Sequence, residues 1–352
     1  MNILFLSNIP TPYQLDFLDQ LNKAKEHKVF GYFLYSKEKN RDWNLKLPEY
    51  VYIANYSKTL KDYIDLYQYI KKNKISIIVI GGYSLPMTIF TVFLTKIKKL
   101  KLYFWLERPI NEQNGIKKTL KELYLHIVLS NAYKIFAIGK LAVDRYIIYN
   151  KKVIDLPYSM NLEKFYKIKR EDKVAKIKFL FSGQYIDRKN ILNTINAFKK
   201  IKNDDIELNI IGGGELKNEV DELIKYDNRI NDLGFIQPND LIEVYAKNDI
   251  FIMPSKHDGW ALVINEAMAA GMPIISTNKV GAVVEYIEHK ENGYICNTEI
   301  DSIQEGIEFY ISNKENILLH SNKNREIIRQ SLGDVKNASI KLLEELDDKT
   351  LK

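Results

Sequence analysis

The chain has 352 residues, 46% of them hydrophobic and 28% charged, which is ordinary for a globular protein and long enough for two domains. A single cysteine, Cys296, excludes an intramolecular disulfide and points to a reducing, cytoplasmic-type compartment. The net charge of +7 is unevenly spread: residues 1–165 hold 26 Lys and Arg against 14 Asp and Glu, the remainder 26 against 31, so +12 stands before −5. A basic first half suits an anionic partner such as a bilayer surface, a nucleic acid or an acidic glycan; plain decoration of the surface with lysine is the alternative.

In chain order, MNILFLSNIP carries neither a basic leader nor a small-residue cleavage site and reads as a first strand, with a helix from about Pro12 to Ala24. VFGYFLYS, SIIVIGG, KLYFWLE and KIFAIG follow as strands apolar on both faces, with helical pieces such as KTLKDYIDLYQYIKKNK between them. This alternation predicts a doubly wound α/β domain over residues 1–166. Three post-strand loops face the ligand side of such a sheet. They are SNIPTPYQ with Tyr13 and Gln14, IGGYSLP with Gly81 and Gly82, and WLERP with Glu107 and Arg108. The apolar stretch MTIFTVFLTKIKKLKLYFWL is broken by Thr and Lys, so no uninterrupted run of about 18 residues spans a membrane. The lysines of TKIKKLK and IKKTLKELYL, interleaved with aliphatic residues, instead suit peripheral contact with an anionic membrane. Solvated helix faces explain them equally.

The charged stretch YKIKREDKVAKI reads as a linker, after which the pattern restarts over 167–332 with IKFLFSG, LNIIGGG, INDLGF, DIFIMPS, PIISTN and GYICN as strands. The last helix, within 333–352, is amphipathic and is expected to pack back across the linker. Two Rossmann-like domains facing each other across a cleft are the expected architecture. IIGGGELKNEV lacks the third glycine of a dinucleotide fingerprint, since Lys217 stands in its place.

In HDGWALVINEAMAAGMPIIS, a strand ending at Ser255 leads through a polar loop into a helix from roughly Trp260 to Ala270, with Gly271 and Pro273 as its stop. Leu262, Val263, Ala267 and Ala270 form its expected packed face. Asp258 at the entrance is explained by helix capping as well as by ligand binding. Glu266, two turns further, sits in text too apolar for an exposed face, and a buried carboxylate needs partners such as the hydroxyls of a sugar or ribose.

The ordered set Pro254, Ser255, Asp258, Glu266, Ala267, Met268, Ala269, Gly271 and Pro273, continued by Gly281, Glu285 and Asn292-Gly293, resembles the signature of retaining glycosyltransferases of family 4 (glycosyl transferases group 1, GT-B fold). The resemblance implies that Asp258 holds hydroxyls of the transferred sugar and Glu266 the ribose. It also implies that Gly259, Trp260, Ala261 and Leu262 present backbone to sugar or phosphate at a helix N-terminus. Lys189, with Gly183 and Arg188, would neutralise the leaving diphosphate. Gly212 and Gly214 would be the tight-turn residues of the glycine loop near the nucleotide, with Glu215 and Leu216 lining the base pocket. The chain departs from the family pattern at three places: Asp258 replaces the usual Glu, Gln184 stands at an Arg position, and Glu107 and Arg108 stand where a His is common. Glu107 then either positions the acceptor hydroxyl or pairs with a nearby cation.

No histidine spacing or Asp-x-Asp motif suggests a metal, so a metal-independent reaction is expected, with no cofactor besides a nucleotide-diphosphate sugar as donor. The expected partners are that nucleotide sugar and a saccharide or lipid-linked saccharide acceptor, in bacterial surface polysaccharide or lipopolysaccharide assembly at the inner face of the cytoplasmic membrane. A sugar-nucleotide epimerase of the same fold would act without an acceptor. A non-catalytic nucleic-acid-binding protein would use the basic half, but no nucleic-acid recognition motif is present.

Overall fold

The computed structural model describes residues 1–37, 45–83, 86–109, 115–170, 176–238 and 240–347. Ser84 and Leu85 of the IGGYSLP loop, 171–175 of the charged stretch and 348–352 of the last segment lie outside them.

The first half alternates as β1 (Asn2–Ser7), α1 (Pro12–Lys23), β2 (Lys28–Phe33), β3 (Val51–Ile53), α2 (Leu60–Lys72), β4 (Ile77–Gly81), α3 (Pro86–Lys98), β5 (Lys101–Leu106), α4 (Ile116–Leu129), β6 (Lys134–Ala137), α5 (Lys140–Tyr146) and β7 (Val153–Asp155). Among the described residues these strands form a seven-stranded sheet in the order β3-β2-β1-β4-β5-β6-β7, every neighbouring pair parallel. The edge strands β3 and β7 are only three residues long and none of their residues is fully buried, which is why the sequence does not announce them. Alternation along the strands buries both faces. Leu4, Leu6, Ile78, Ile80, Phe104 and Ile135 share one core with residues of α2 to α5. On the other face Phe5 and Trp105 meet Phe17 of α1, at ring-centroid distances of 6.1 and 5.0 Å. Thr11 starts α1 by accepting the Gln14 N–H at 3.4 Å, and Pro12 fills the first turn.

The second half continues with α6 (Glu163–Tyr166), β8 (Ile177–Ser182), α7 (Ile191–Lys200), β9 (Ile206–Ile211), α8 (Lys217–Ile224), β10 (Ile230–Asp232), α9 (Leu241–Ala246), β11 (Ile250–Met253), α10 (Leu262–Ala269), β12 (Ile274–Thr277), α11 (Gly281–Tyr286), β13 (Gly293–Cys296), α12 (Ile300–Ser312), α13 (Glu315–Gln330) and α14 (Val335–Asp347). Its sheet, again parallel, runs β10-β9-β8-β11-β12-β13 among the described residues.

The chain divides into two units, Met1–Met160 with the segment from Val335 onward, and Asn161–Asp334. The boundary thus lies before α6 and not after residue 166. The Phe165 ring of α6 packs edge-on against Tyr245 of α9 at 5.2 Å, which ties this short helix to the second unit. α14 lies against α1, and Lys134 Nζ reaches Glu345 Oε2 at 2.7 Å. Both units are Rossmann-like, and each sheet reverses its strand order once: between β1 and β4 in the first, between β8 and β11 in the second. Ligands of open α/β sheets sit beyond the strands' carboxyl ends at such a reversal.

Candidate functional site

At the reversal of the second sheet, two loops interlock through their backbones. Gly212 and Gly214 stand at φ +144° and +154°, where a Cβ would come to 1.9 Å from the Gly183 carbonyl oxygen and 2.6 Å from that of Tyr185. Only glycine fits such approaches. Tyr185 N donates to Gly213 O at 2.8 Å, and Leu216 N to Tyr185 O at 2.9 Å. A Cβ on Gly213 itself would meet open space. Glu215 is exposed beside this turn. Tyr185, which the sequence reading did not single out, is buried and donates its hydroxyl to Asp232 Oδ1 at 2.7 Å, bracing the turn from below.

The loop after β8 carries a single 3-10 turn, Asp187–Lys189, that aims two cations at one carboxylate. Lys189 Nζ hydrogen-bonds Asp258 Oδ2, and Arg188 Nη1 lies 3.4 Å from the same oxygen while donating to His257 O at 2.9 Å. The side chains of Lys189 and Asp258 are only 11% and 14% exposed. Burial alone would raise the Asp258 carboxyl, but the Lys189 ammonium, the Arg188 guanidinium and the Trp260 N–H outweigh it and hold it below the usual aspartate value. The residues 69 and 70 positions apart in sequence therefore form one charged cluster.

Asp258 is not the N-cap of α10. That position belongs to Ala261, at φ +71° and ψ +77°, so the helix begins at Leu262 and not at Trp260. The Asp258 backbone is instead stapled to the segment before α11: its N–H donates to Lys279 O at 3.1 Å and its carbonyl accepts from Gly281 N at 3.2 Å. A side chain on Gly281 would strike the Gly259 carbonyl at 2.2 Å, which explains that glycine. The Trp260 ring is buried edge-on against Tyr286, so it offers a ligand backbone only. Ala267 and Ala270 are buried as expected for the packed face, whereas Leu262 and Val263 are half-buried and Ile264 and Met268 are buried in their stead. Among the described residues, the N–H groups of Ala261, Leu262 and Val263 donate to no backbone or side-chain acceptor, as the first turn of a helix leaves them.

Glu266 is 8% exposed, and its Oε2 accepts the Tyr245 hydroxyl at 2.7 Å. Burial pushes its carboxyl up to about 7, against the opposing pull of that hydrogen bond. Glu266 and Asp258 belong to separate hydrogen-bond networks. Tyr245, 21 residues before Glu266, gives no sign of this role in the sequence.

At the reversal of the first sheet, a cavity of about 430 Å³ is lined by Ser7, Thr11, Tyr13, Gln14, Lys37 and Tyr158 among others. Gln14 Nε2 donates to Ser7 Oγ at 3.3 Å, and the Tyr13 and Tyr158 rings lie 4.8 Å apart. Glu107 is exposed just beyond β5, and its carbonyl accepts the Tyr146 hydroxyl at 2.7 Å. Burial, then the neighbouring Tyr13 and Glu107, push the Tyr158 hydroxyl well above its ordinary value, which places the Glu107 side chain next to Tyr158. Tyr158 and Lys37 are lining residues that the sequence reading did not name.

Residues 163–330 match the family model of glycosyl transferases group 1. The group 1 match thus falls on the second unit, which holds Lys189, Asp258 and Glu266. The chain is also similar to an uncharacterised glycosyltransferase of Haemophilus influenzae, 36% identical over 34% of this chain and 35% of that protein. A longer match, 30% identical over 63% of this chain and 62% of the other, is to the Escherichia coli UDP-Gal:alpha-D-GlcNAc-diphosphoundecaprenol alpha-1,3-galactosyltransferase. The chain therefore spans between about a third and six tenths of these two curated relatives. Anabaena HepE, crystallised with UDP, superposes with a TM-score of 0.79 at 16% identity, over 98% of this chain and 99% of that one. The fold is GT-B.

Proposed function

We propose that the protein transfers a sugar, with retention of anomeric configuration, from a nucleoside-diphosphate sugar to a hydroxyl of a saccharide or lipid-linked saccharide in surface-polysaccharide assembly. The observation that carries this reading is the Arg188–Lys189–Asp258 cluster at the strand-order reversal of a unit matching group 1 transferases. A departing diphosphate gathers negative charge, and what faces it here is fixed: the two cations and the N–H groups opening α10. These act where other enzymes use a metal ion, so the reaction is metal-independent. Asp258, held ionised, accepts hydrogen bonds from hydroxyls of the transferred sugar. Glu266, with Oε2 held by Tyr245, offers Oε1 to the ribose. In the front-face course the bond from the anomeric carbon to phosphate oxygen breaks and the bond to the acceptor oxygen forms on the same face. The acceptor proton passes to the leaving phosphate oxygen. Glu107, beside Tyr158, orients the acceptor hydroxyl, and the first-unit cavity receives the acceptor.

UDP is the first nucleotide to try, because the Escherichia coli relative is named for UDP-Gal and HepE was crystallised with UDP. The test is a thermal-shift panel of nucleoside diphosphates, followed by mass spectrometry of the matching nucleotide sugar with and without saccharide acceptors. Stabilisation by one nucleotide and a glycosylated product formed only with acceptor are expected, and Glu266→Ala should abolish turnover with the fold intact. Stabilisation by none, an epimerised donor without acceptor, or full turnover in Glu266→Ala overturns the reading.

A further inference from the structure

Two neighbouring helices of the first unit are apolar on the side that faces water. α3 buries Met87, Val92 and Leu94 in the core, yet its opposite side shows Ile89, Phe93 and Ile97, one turn apart and 54%, 64% and 59% exposed. α4 buries Leu125, Val128 and Leu129 and turns outward Ile116, Leu120, Leu123 and Ile127, each more than half exposed. A helix packed on a sheet ordinarily carries polar residues outward, and a helix apolar all round belongs in a second apolar environment. The two lie side by side: α3 joins β4 to β5, α4 joins β5 to β6, these strands are neighbours, and both helices share one core with the same sheet face.

The charges bordering this double stripe have one sign. α3 holds no acidic residue and ends in Lys96 and Lys98, followed by Lys99. α4 opens with Lys117 and Lys118 and adds Lys121. Its one carboxylate, Glu122, is taken by Arg145 and by the Tyr149 hydroxyl. Protein interfaces are depleted in lysine, whereas aliphatic and aromatic side chains edged by lysines match the acyl and headgroup layers of an anionic bilayer.

We infer that the outer face of α3 and α4 is a docking surface for anionic lipid bilayers, with Phe93 and the aliphatic stripe entering the interfacial layer and the lysines meeting lipid phosphates. No described helix is long and apolar enough to cross a membrane; the contact proposed is one made by the outer face of two packed helices. The inference stands on exposure and charge and is independent of the transfer chemistry.

The test is co-sedimentation of the full chain with phosphatidylcholine vesicles, alone or mixed with phosphatidylglycerol, without nucleotide. Binding to the anionic vesicles is expected to exceed binding to the neutral ones by about tenfold or more. Phe93→Ser combined with Leu120→Ser is expected to weaken it by about tenfold, at an unchanged melting temperature because both side chains are exposed. Lys117→Glu with Lys118→Glu should remove the preference for anionic lipid and gives an independent readout. Absence of vesicle binding by the wild type, equal binding by both variants, or self-association in solution that the apolar substitutions abolish in place of vesicle binding overturns the proposal. Because nucleotide affinity is measured separately, failure here is distinguishable from failure of the transferase reading.

Discussion

Replacing Glu266 by Gln isolates the consequence of burying that carboxyl. Burial raises it from 4.5 to about 7, so between those pH values the folded chain holds a proton that the unfolded chain has released. Unfolding then liberates a proton, and stability falls as pH rises through this window: the contribution is complete below about pH 4.5 and gone above pH 7. At about 1.4 kcal/mol for each pH unit, the full span amounts to about 3 kcal/mol. Gln is neutral, has nearly the same shape and keeps an oxygen to accept the Tyr245 hydroxyl. All other titrating groups are common to both proteins and cancel in the difference. Urea denaturation of wild type and Glu266→Gln, without added nucleotide, should therefore show the variant gaining on the wild type by about 2 to 3 kcal/mol between pH 5 and pH 8. The same linkage acts on binding: a ribose hydroxyl donates to the ionised form, so nucleotide affinity of the wild type should fall by up to about tenfold per pH unit below pH 7, and that slope should vanish in the variant. A stability gap that stays flat from pH 5 to pH 8 refutes the reasoning, because it would mean that Glu266 is already ionised throughout.

The glycine turn separates two neighbouring substitutions. Gly212→Ala sets a Cβ against the Gly183 carbonyl at an unfavourable φ and should cost about 3 kcal/mol, while Gly213→Ala, whose Cβ meets open space, should stay within about 0.5 kcal/mol; equal losses in denaturant melts would contradict the interlocked loops. In the charged cluster, Lys189→Met and Asp258→Asn should each destabilise by about 2 kcal/mol, whereas the double variant should lose at least about 1 kcal/mol less than their sum. Additive losses would show that the pair is not coupled. Lys189→Met should also lower kcat by about a hundredfold or more if the ammonium meets the leaving diphosphate.

The alternation of apolar runs and amphipathic segments was sufficient to read two doubly wound units, because a strand buried on both faces has a composition that a helix or loop rarely shares. What it could not read was local exposure. In IKKTLKELYL the interleaved lysines and aliphatic residues fit a solvated face and a membrane contact equally; the sheet takes Leu125, Val128 and Leu129 from the same helix and leaves Leu120 and Leu123 outside. Likewise the eight-residue spacing of Asp258 and Glu266 was visible, while the identity of their partners was not. Lys189 reaches Asp258 through the parallel pairing of β8 with β11, and Tyr245 on α9 reaches Glu266 on α10 across the intervening β11, long-range properties that no local window contains. The left-handed Ala261 shifted the start of α10 because alanine, unlike glycine, gives no warning of that conformation.

The two strand-order reversals carry different chemistry on the same topology. At the second sheet the groups are ionic and tightly ordered: two cations on one buried carboxylate, and a second carboxyl held by a tyrosine. At the first, the cavity is walled mainly by neutral hydrogen-bonding groups and tyrosine rings, with Lys37 as a cation at its edge. Phosphate demands fixed positive charge, whereas a saccharide is recognised by neutral donors and acceptors and by flat aromatic faces, and the proposed assignment of donor to the second unit and acceptor to the first rests on this difference in side chains. α3 and α4 extend the same logic. Each begins beyond the carboxyl end of the strand before it, β4 and β5, so both start on the sheet edge where the cavity opens. A bilayer held against their outer stripe would bring a lipid-carried saccharide to that edge. On the proposed reading, this apolar exposure would favour an acceptor presented at a membrane over one free in solution.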